Sequence, residues 1–207
     1  MRVDWVPYSA AALVVGATAL SVGAILVPQV GVLSSPLAAL EVRPAGWLAV
    51  SGLYAVASIA LILGLPAVLS IFDERGARAA LVAAGFVVVG CFGTAAFAVL
   101  LVVYRALALG DLVDGGLRGL AGDTGLSVIL YAWVLGFAVG ELVLAYALLQ
   151  ERQVPRWVPG LLVLHVALTP LAPVLPDLAV ALVALLVTIA FAALGIVAHQ
   201  RTALPRP

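Results

Sequence analysis

The sequence AALVAAGFVVVGCFGTAAFAVLLVVY fills residues 79–104 without a single charged side chain. A helix needs about 20 mainly apolar residues to cross the hydrocarbon core of a bilayer. Backbone N–H and C=O groups find no hydrogen-bond partner in lipid, so a run of this kind has to be helical there. This stretch therefore predicts a transmembrane α-helix.

The composition of the whole chain agrees with this stretch. Of its 207 residues, 65% are hydrophobic and 10% are charged, and the mean hydropathy is +1.26. Soluble domains are about half apolar and roughly a quarter charged, so the surplus apolar surface must face lipid. The formal net charge is zero and there is no basic stripe, so nucleic acid is not expected as a partner.

Six apolar segments have the length of a membrane span or nearly so, which leaves no room for a separate soluble domain. They are residues 8–32, 47–71, 79–104, 126–149, 158–175 and 178–198. The predicted fold is one all-α domain over residues 1–207, an integral membrane bundle of six transmembrane helices. The fifth segment is short and contains Pro170 and Pro173, so its last turn is expected to be irregular.

The distribution of arginine predicts the orientation in the membrane. Seven Arg lie on the side that holds both termini, and three lie on the other side. Basic residues are retained on the cytoplasmic side, so we expect both termini in the cytoplasm and the protein in the inner (plasma) membrane. The chain has ten basic residues, all Arg and none Lys, a usage that suggests a GC-rich bacterial genome.

Two ionisable residues lie deep inside apolar segments and need an explanation, because a charge at the bilayer centre costs about 2.5–3.5 kcal/mol on insertion scales. Glu141 lies nine residues before Gln150, and His165 lies eight residues after Trp157. Both are therefore roughly 12–14 Å from the same end of their helices. The fourth and fifth helices are joined by a short turn, so the two side chains could meet at one level, and whether they touch is left open. Either a proton relay or polar substrate site, or a purely structural interhelical hydrogen bond, would explain them.

Four further polar residues are weaker candidates for the same or another site. Thr169 shares the helical face of His165 and could extend its polar patch or bond its own backbone beside Pro170. Tyr54 and Ser58 lie one turn apart in the second helix and could line a cavity. Arg105 lies at the end of the third helix. It could form part of an extracellular mouth, or its side chain could simply extend to the membrane–water interface.

Other chemistries are not indicated. No cluster of His, Cys and carboxylate residues has the spacing of a metal site, and no nucleotide-binding or hydrolase motif occurs, so neither a metal nor a cofactor is predicted. Gly136 and Gly140 form a small-x-x-x-small motif in the fourth helix. This motif allows close helix approach, and we expect packing within one chain rather than a homodimer, although a homodimer is left open.

The region around the fourth and fifth helices resembles a known family. Residues 140–149 (GELVLAYALL) and 154–162 (VPRWVPGLL) are similar to an uncharacterised bacterial six-helix membrane family, domain of unknown function 4386. Its members tend to have a Gly-rich fourth helix, a Tyr near its end and an (Ile/Val)-Pro-Arg turn. The resemblance implies the six-helix topology and no activity or catalytic residue, and Glu141 is not part of the family pattern.

Three classes of function fit these observations. The favoured one is a non-enzymatic protein that binds or moves a small or lipidic molecule through a polar site between helices 4 and 5. A second is an intramembrane enzyme with Glu141 as general acid, His165 as its partner, and a lipid or isoprenoid substrate. A third is an accessory subunit without chemistry.

Overall fold

The computed structural model describes residues 5–26, 44–109, 124–151 and 154–203, and no strand occurs in these ranges. The helices are α1 (Val6–Leu26), α2 (Pro44–Leu69), α3 (Glu74–Leu109), α4 (Thr124–Leu149), α5 (Trp157–Leu168) and α6 (Asp177–Ala203). A 3-10 helix, Thr169–Val174, follows α5 directly.

Five of these helices, α1 to α4 and α6, are long and apolar enough to cross a membrane. The sixth apolar helix is shorter and covers Trp157–Ala172, so it includes α5 and part of the 3-10 helix. The chain is thus an all-helical apolar bundle with the architecture of a multi-pass membrane protein. Residues 27–32 of the predicted first helix lie outside the described residues.

The third helix is longer than its apolar run. It begins at Glu74 and ends at Leu109, so the predicted bounds, residues 79–104, were too short at both ends. Glu and Arg are good helix formers, and they are tolerated here because a 36-residue helix is about 54 Å long, more than the ~30 Å hydrocarbon core. The polar ends of α3 can therefore extend beyond the lipid tails.

The fifth apolar segment changes its winding at its prolines. The α-helix ends at Leu168, and the chain continues as a 3-10 helix that contains Pro170 and Pro173. Proline lacks the N–H that an α-helix needs and its ring displaces the preceding turn. The irregular last turn expected from the sequence is thus a tighter helix rather than a loop.

The six helices form a closed ring. Each helix contacts the next along the chain, α6 returns to α1, and α2 also reaches α6. The end that carries residues 6 and 203, which we call the termini end, is tied together by Arg201, whose Nη1 donates to the carbonyl of Ser70 at 3.2 Å. The opposite end is called the far end.

Two apolar clusters fill the ring. The larger one includes residues of all six α-helices, with Leu61, Phe191 and Leu194 among its fully buried members. The smaller one lies towards the far end around Trp47 and Tyr54. The larger core continues into the α4–α5 contact through Leu148 and Leu162, so that contact is firmly anchored at the termini end.

The small-x-x-x-small motif of α4 packs against α3 in the same chain. A Cβ on Gly136 would lie 2.9 Å from the backbone nitrogen of Gly90, and one on Gly140 would lie 2.8 Å from Val87. These distances are shorter than the ~3.5–4.0 Å of ordinary carbon contacts. The two glycines thus allow α3 and α4 to touch, which confirms packing within one chain and fixes the rotation of α4.

Candidate functional site

The structure brings Glu141 of α4 and His165 of α5 together. His165 Nδ1 lies 2.7 Å from Glu141 Oε2, a hydrogen-bond distance. The carboxylate side chain is 1% exposed, whereas the imidazole is 19% exposed. The pair thus has a buried member inside the bundle and a second member that reaches its surface.

The α4–α5 hairpin places the two residues at one level. Glu141 lies eight residues before the end of α4 at Leu149, and His165 lies eight residues after the start of α5 at Trp157. Each is therefore about 12 Å from the termini end of its helix. Because Gly136 and Gly140 face α3, Glu141 is turned towards α5. The equal depths in the sequence allowed this pairing, and the structure shows the contact.

The short contact can hold one proton in two ways. A neutral imidazole can donate from Nδ1–H to the carboxylate, or a carboxylic acid can donate from Oε2–H to Nδ1. Both arrangements keep the hydrogen bond and differ only in which group carries the proton. The pair can therefore store or pass a proton, and it can present a hydrogen-bonding group at the surface without carrying a net charge.

Thr169 lies beside the pair, but its hydroxyl serves its own helix. Thr169 Oγ1 donates to the carbonyl of His165 at 2.7 Å, and the backbone N–H of Thr169 donates to the same oxygen. This is the second of the two arrangements that the sequence allowed. In the structure, Thr169 therefore closes the end of α5 rather than extending the polar patch.

Tyr54 and Ser58 belong to another part of the bundle. The Tyr54 ring packs edge-on against Phe97 and Trp133, with centroid distances of 5.5 and 6.4 Å. Trp133 precedes Glu141 by eight residues on α4, so this aromatic group lies about 12 Å further towards the far end. Ser58 Oγ donates to the carbonyl of Tyr54 at 2.8 Å. These two candidates are structural contacts of α2.

Arg105 also lies far from the pair. Val87, which packs on Gly140, marks the level of Glu141 along α3. Arg105 comes eighteen residues later, about 27 Å along the helix axis. The structure thus does not join this residue to the site between α4 and α5.

The sequence reading missed the hydroxyl groups that fasten α1 to its neighbours. Ser9 Oγ donates to the carbonyl of Leu63 at 2.6 Å and accepts from the N–H of Ala67 at 2.9 Å, so it is inserted between two main-chain groups of α2. Ser21 Oγ donates to the carbonyl of Ala184 at 2.5 Å. Each is a small hydroxyl side chain in a mainly apolar helix, and that is the signal that could have pointed to interhelical contacts.

The described residues offer no evident metal site. Within them, no group of three or more His, Cys, Asp or Glu side chains lies together. The pair itself supplies one carboxylate and one imidazole, fewer ligands than the four of a structural zinc site. Its chemistry is that of hydrogen bonding and proton exchange.

Comparison of the chain with models of protein families, with curated proteins and with solved structures found no match. The similarity of residues 140–162 to the six-helix family 4386 therefore stays a prediction. Any function has to be inferred from the geometry of the bundle and its polar pair.

Proposed function

We propose that this membrane protein binds, and in a stronger version of the same function transports, a small or lipidic molecule at the Glu141–His165 pair. The observation that supports the proposal is a single contact. A carboxylate that is 1% exposed is hydrogen-bonded at 2.7 Å to a partly exposed imidazole inside apolar helices. Sites of this kind are commonly built between the helices of bundles.

The energetics argue against a purely structural role for the pair. Interhelical hydrogen bonds in membrane bundles contribute on average only ~0.6 kcal/mol. A charged residue at the centre of a membrane helix costs several times as much, about 2.5–3.5 kcal/mol on insertion scales. Serine and threonine hydroxyls, which this chain uses between α1, α2 and α6, join helices at a lower cost. An ionisable pair is therefore expected to do more than hold α4 against α5.

The proposal is tested with Glu141→Gln, which keeps the size and hydrogen-bonding ability of the side chain and removes its acid–base function. Wild type and variant are purified in lipid nanodiscs, and native mass spectrometry measures the molecules that remain bound. We expect the variant to lose at least ten-fold in occupancy of a bound species. Its thermal midpoint should change little, because a side-chain hydrogen bond to His165 can still form.

A matched control separates binding from stability. Ser21→Ala removes an interhelical hydrogen bond between α1 and α6, which are not the helices that carry the pair. This variant should lower the thermal midpoint without changing the bound species. If Glu141→Gln lowers the midpoint and leaves the bound species unchanged, the pair is a structural hydrogen bond and the proposal fails.

A second candidate function is an intramembrane acid–base enzyme that acts on a lipid or isoprenoid. The observation that favours it is the proton shared between Nδ1 and Oε2, since a positioned carboxyl–imidazole pair can act as general acid and base. Chemical change of the bound species during incubation, lost in Glu141→Gln, would distinguish catalysis from binding. An accessory subunit would show neither binding nor turnover.

The orientation belongs to the same proposal. From the arginine bias we infer that both termini, and hence the termini end of the bundle, lie on the cytoplasmic side of a plasma membrane. Reporter fusions at the C-terminus check this directly, because a reporter that is active only outside the cytoplasm should stay inactive. With this orientation the pair lies nearer the cytoplasmic leaflet than the aromatic group around Tyr54.

A further inference from the structure

The face of α4 that carries Glu141 is covered on one side of the pair and open on the other. Seven residues towards the termini end, Leu148 is 1% exposed, whereas seven residues towards the far end, Val134 is 49% exposed. A seven-residue step returns to nearly the same face of a helix. Between them, Ala138 is half-buried. Glu141 thus lies at the boundary between the part of this α4 face that is buried and the part that is exposed.

The 3-10 helix explains why this cover ends. It contacts α5 and α6, and among the described residues it makes no contact with α4. Its outer residues are exposed, with Val174 at 80%. The tighter winding imposed by the prolines therefore leaves α4 and the fifth apolar segment separated on the far side of the pair. An opening towards the bilayer results, with the Glu141–His165 pair at its inner end.

Polar groups without protein partners collect at the inner end of this opening. Glu141 Oε2 is bonded to His165, whereas no described residue makes a hydrogen bond to Oε1, and this oxygen is not among the fully buried side-chain atoms that lack a partner. His165 Nε2 likewise has no hydrogen-bond partner among the described residues.

The main chain of α5 adds a third polar group. The carbonyl of Val166 lacks its normal helical donor because residue 170 is proline, and the N–H of Thr169 is taken by His165. Two of the three groups, Glu141 Oε1 and this carbonyl, accept hydrogen bonds, so a ligand has to bring a donor.

The charge around the opening limits the kind of ligand. Glu141 is the only charged residue of α4, and neither α5 nor the 3-10 helix contains Asp, Glu, Lys or Arg. The pair can hold its proton without a net charge, so nothing there balances a phosphate. The pair also lies about 12 Å from the end of its helices, near the middle of a ~30 Å hydrocarbon core. Only an uncharged lipid can bring its polar group to this depth at low cost.

We propose that the opening between α4 and the 3-10 helix admits a neutral lipid from the side, and that the pair recognises the hydroxyl group of this lipid. The inference rests on the proposed function and names the class of its ligand, a lipid alcohol. The hydroxyl donates to Glu141 Oε1 or to the carbonyl of Val166, and it accepts from His165 Nε2–H. Its apolar chain leaves through the opening along Val134 into the bilayer.

Two sources of such a hydroxyl are an isoprenoid alcohol and a diacylglycerol. The binding test uses geranylgeraniol and dioleoylglycerol as probes, added to the full-length protein in nanodiscs and followed by native mass spectrometry. Geranylgeranyl acetate, without a donor, and geranylgeranyl phosphate, with a charge, are the matched controls. We expect at least one of the two alcohols to bind saturably, and the acetate and the phosphate to bind at least ten-fold more weakly than that alcohol or not at all.

Two variants probe the route and the recognition separately. Val134→Trp should fill the opening and reduce alcohol binding at least ten-fold while leaving the pair intact. Val99→Trp, on the exposed surface of α3, is its control and should have no effect. Glu141→Gln should weaken the binding of the alcohol without changing the residual binding of the acetate.

The outcomes distinguish this inference from the function on which it rests. Equal binding of alcohol and acetate overturns recognition of a hydroxyl, tighter binding of the phosphate overturns a neutral ligand, and unchanged binding in Val134→Trp overturns the lateral route. If neither alcohol binds but Glu141→Gln still loses a co-purified species, the lipid alcohol is wrong and the proposed function stands. If Glu141→Gln changes no bound species at all, both fail.

Discussion

The interfaces of α1 and the interface between α4 and α5 both place polar side chains in apolar helices, but they use different groups. Around α1, hydroxyls of Ser9 and Ser21 bond to main-chain carbonyls of α2 and α6, and Thr188 of α6 donates back to the carbonyl of Ala17 at 3.0 Å. Between α4 and α5, a carboxyl and an imidazole bond to each other. The first kind of contact joins helices, whereas the second can also exchange a proton or recognise a ligand.

The two regions differ in packing as well. α1 and α2 are in backbone contact, because a Cβ on Gly64 would lie 2.7 Å from the Cα of Leu13. Beyond the pair, α4 makes no contact with the 3-10 helix within the described residues, and Val134 is exposed there. The comparison indicates one side of the bundle that is closed and fixed and another that is open to the bilayer beside an ionisable pair.

The largest effect on stability is expected when a bulky side chain is introduced at the close contact between α1 and α2. Gly64→Leu should prevent or severely weaken folding, by about 3 kcal/mol or more, because the new side chain meets the backbone of Leu13, which cannot move aside. Gly52→Leu in the same helix is the control, since nothing lies within 4 Å of a Cβ there. The yield of monodisperse protein and the thermal midpoint measure the difference. Equal behaviour of the two variants would show that α1 and α2 are not in close contact.

The next effect concerns the pair itself. His165→Leu should cost about 1–3 kcal/mol, because it leaves the buried carboxyl of Glu141 without its partner. The double variant Glu141→Leu/His165→Leu should recover most of that stability, since replacing both partners by apolar groups is often neutral. Unfolding in a mixed-detergent titration measures both variants.

The stability recovered by the double variant distinguishes a ligand site from a structural contact. A double variant that is stable but binds no ligand identifies a site that the fold does not need. A double variant that stays as unstable as the single one contradicts this comparison, because the pair would then be part of the framework, like the hydroxyls of α1.

A smaller effect is expected at the hydroxyl contacts. Ser21→Ala should lower stability by about 1 kcal/mol, since its hydroxyl contacts both the carbonyl of Ala184 and Thr188 Oγ1, and one such contact contributes ~0.6 kcal/mol on average. Ser9→Ala should have a similar effect, and the two should add because they lie at different levels of α1. The same unfolding titration tests this, and ligand binding should stay unchanged in both variants.

Features of the bundle that depend on residues close together in the chain can be predicted from the sequence. The apolar runs, and the polar and proline-containing stretches between them, predicted the number of helices. The prolines predicted the irregular end of the fifth apolar segment. That Glu141 and His165 could meet was predictable because a short turn joins their helices, so equal distance from that turn implies equal depth. The start of α3 was misjudged because Glu74 and Arg78 suit a solvated turn as well as a solvated helix end.

The rest depends on contacts between distant parts of the chain. Ser21 meets Ala184 across 163 positions, and nothing in either segment shows that α1 and α6 close the ring. The opening beside the pair depends on the path of the 3-10 helix relative to α4, which the prolines alone do not determine. Thr169 is an intermediate case, because its spacing allowed two bonding partners and only the structure shows which one it uses.

Thr169 therefore gives the smallest expected effect and the finest test of the boundary between site and framework. Thr169→Val keeps the branched shape and removes the hydroxyl, while the carbonyl of His165 still accepts the backbone N–H of residue 169. Since no buried group loses its last partner, we expect a stability change below about 0.5 kcal/mol and unchanged binding of a lipid alcohol. Thr188→Val is the matched control, because its hydroxyl bonds to a neighbouring helix and its loss should be measurable. If Thr169→Val reduced ligand occupancy as strongly as Glu141→Gln, the hydroxyl would have to turn from its own helix to the ligand. The site would then extend into the 3-10 helix.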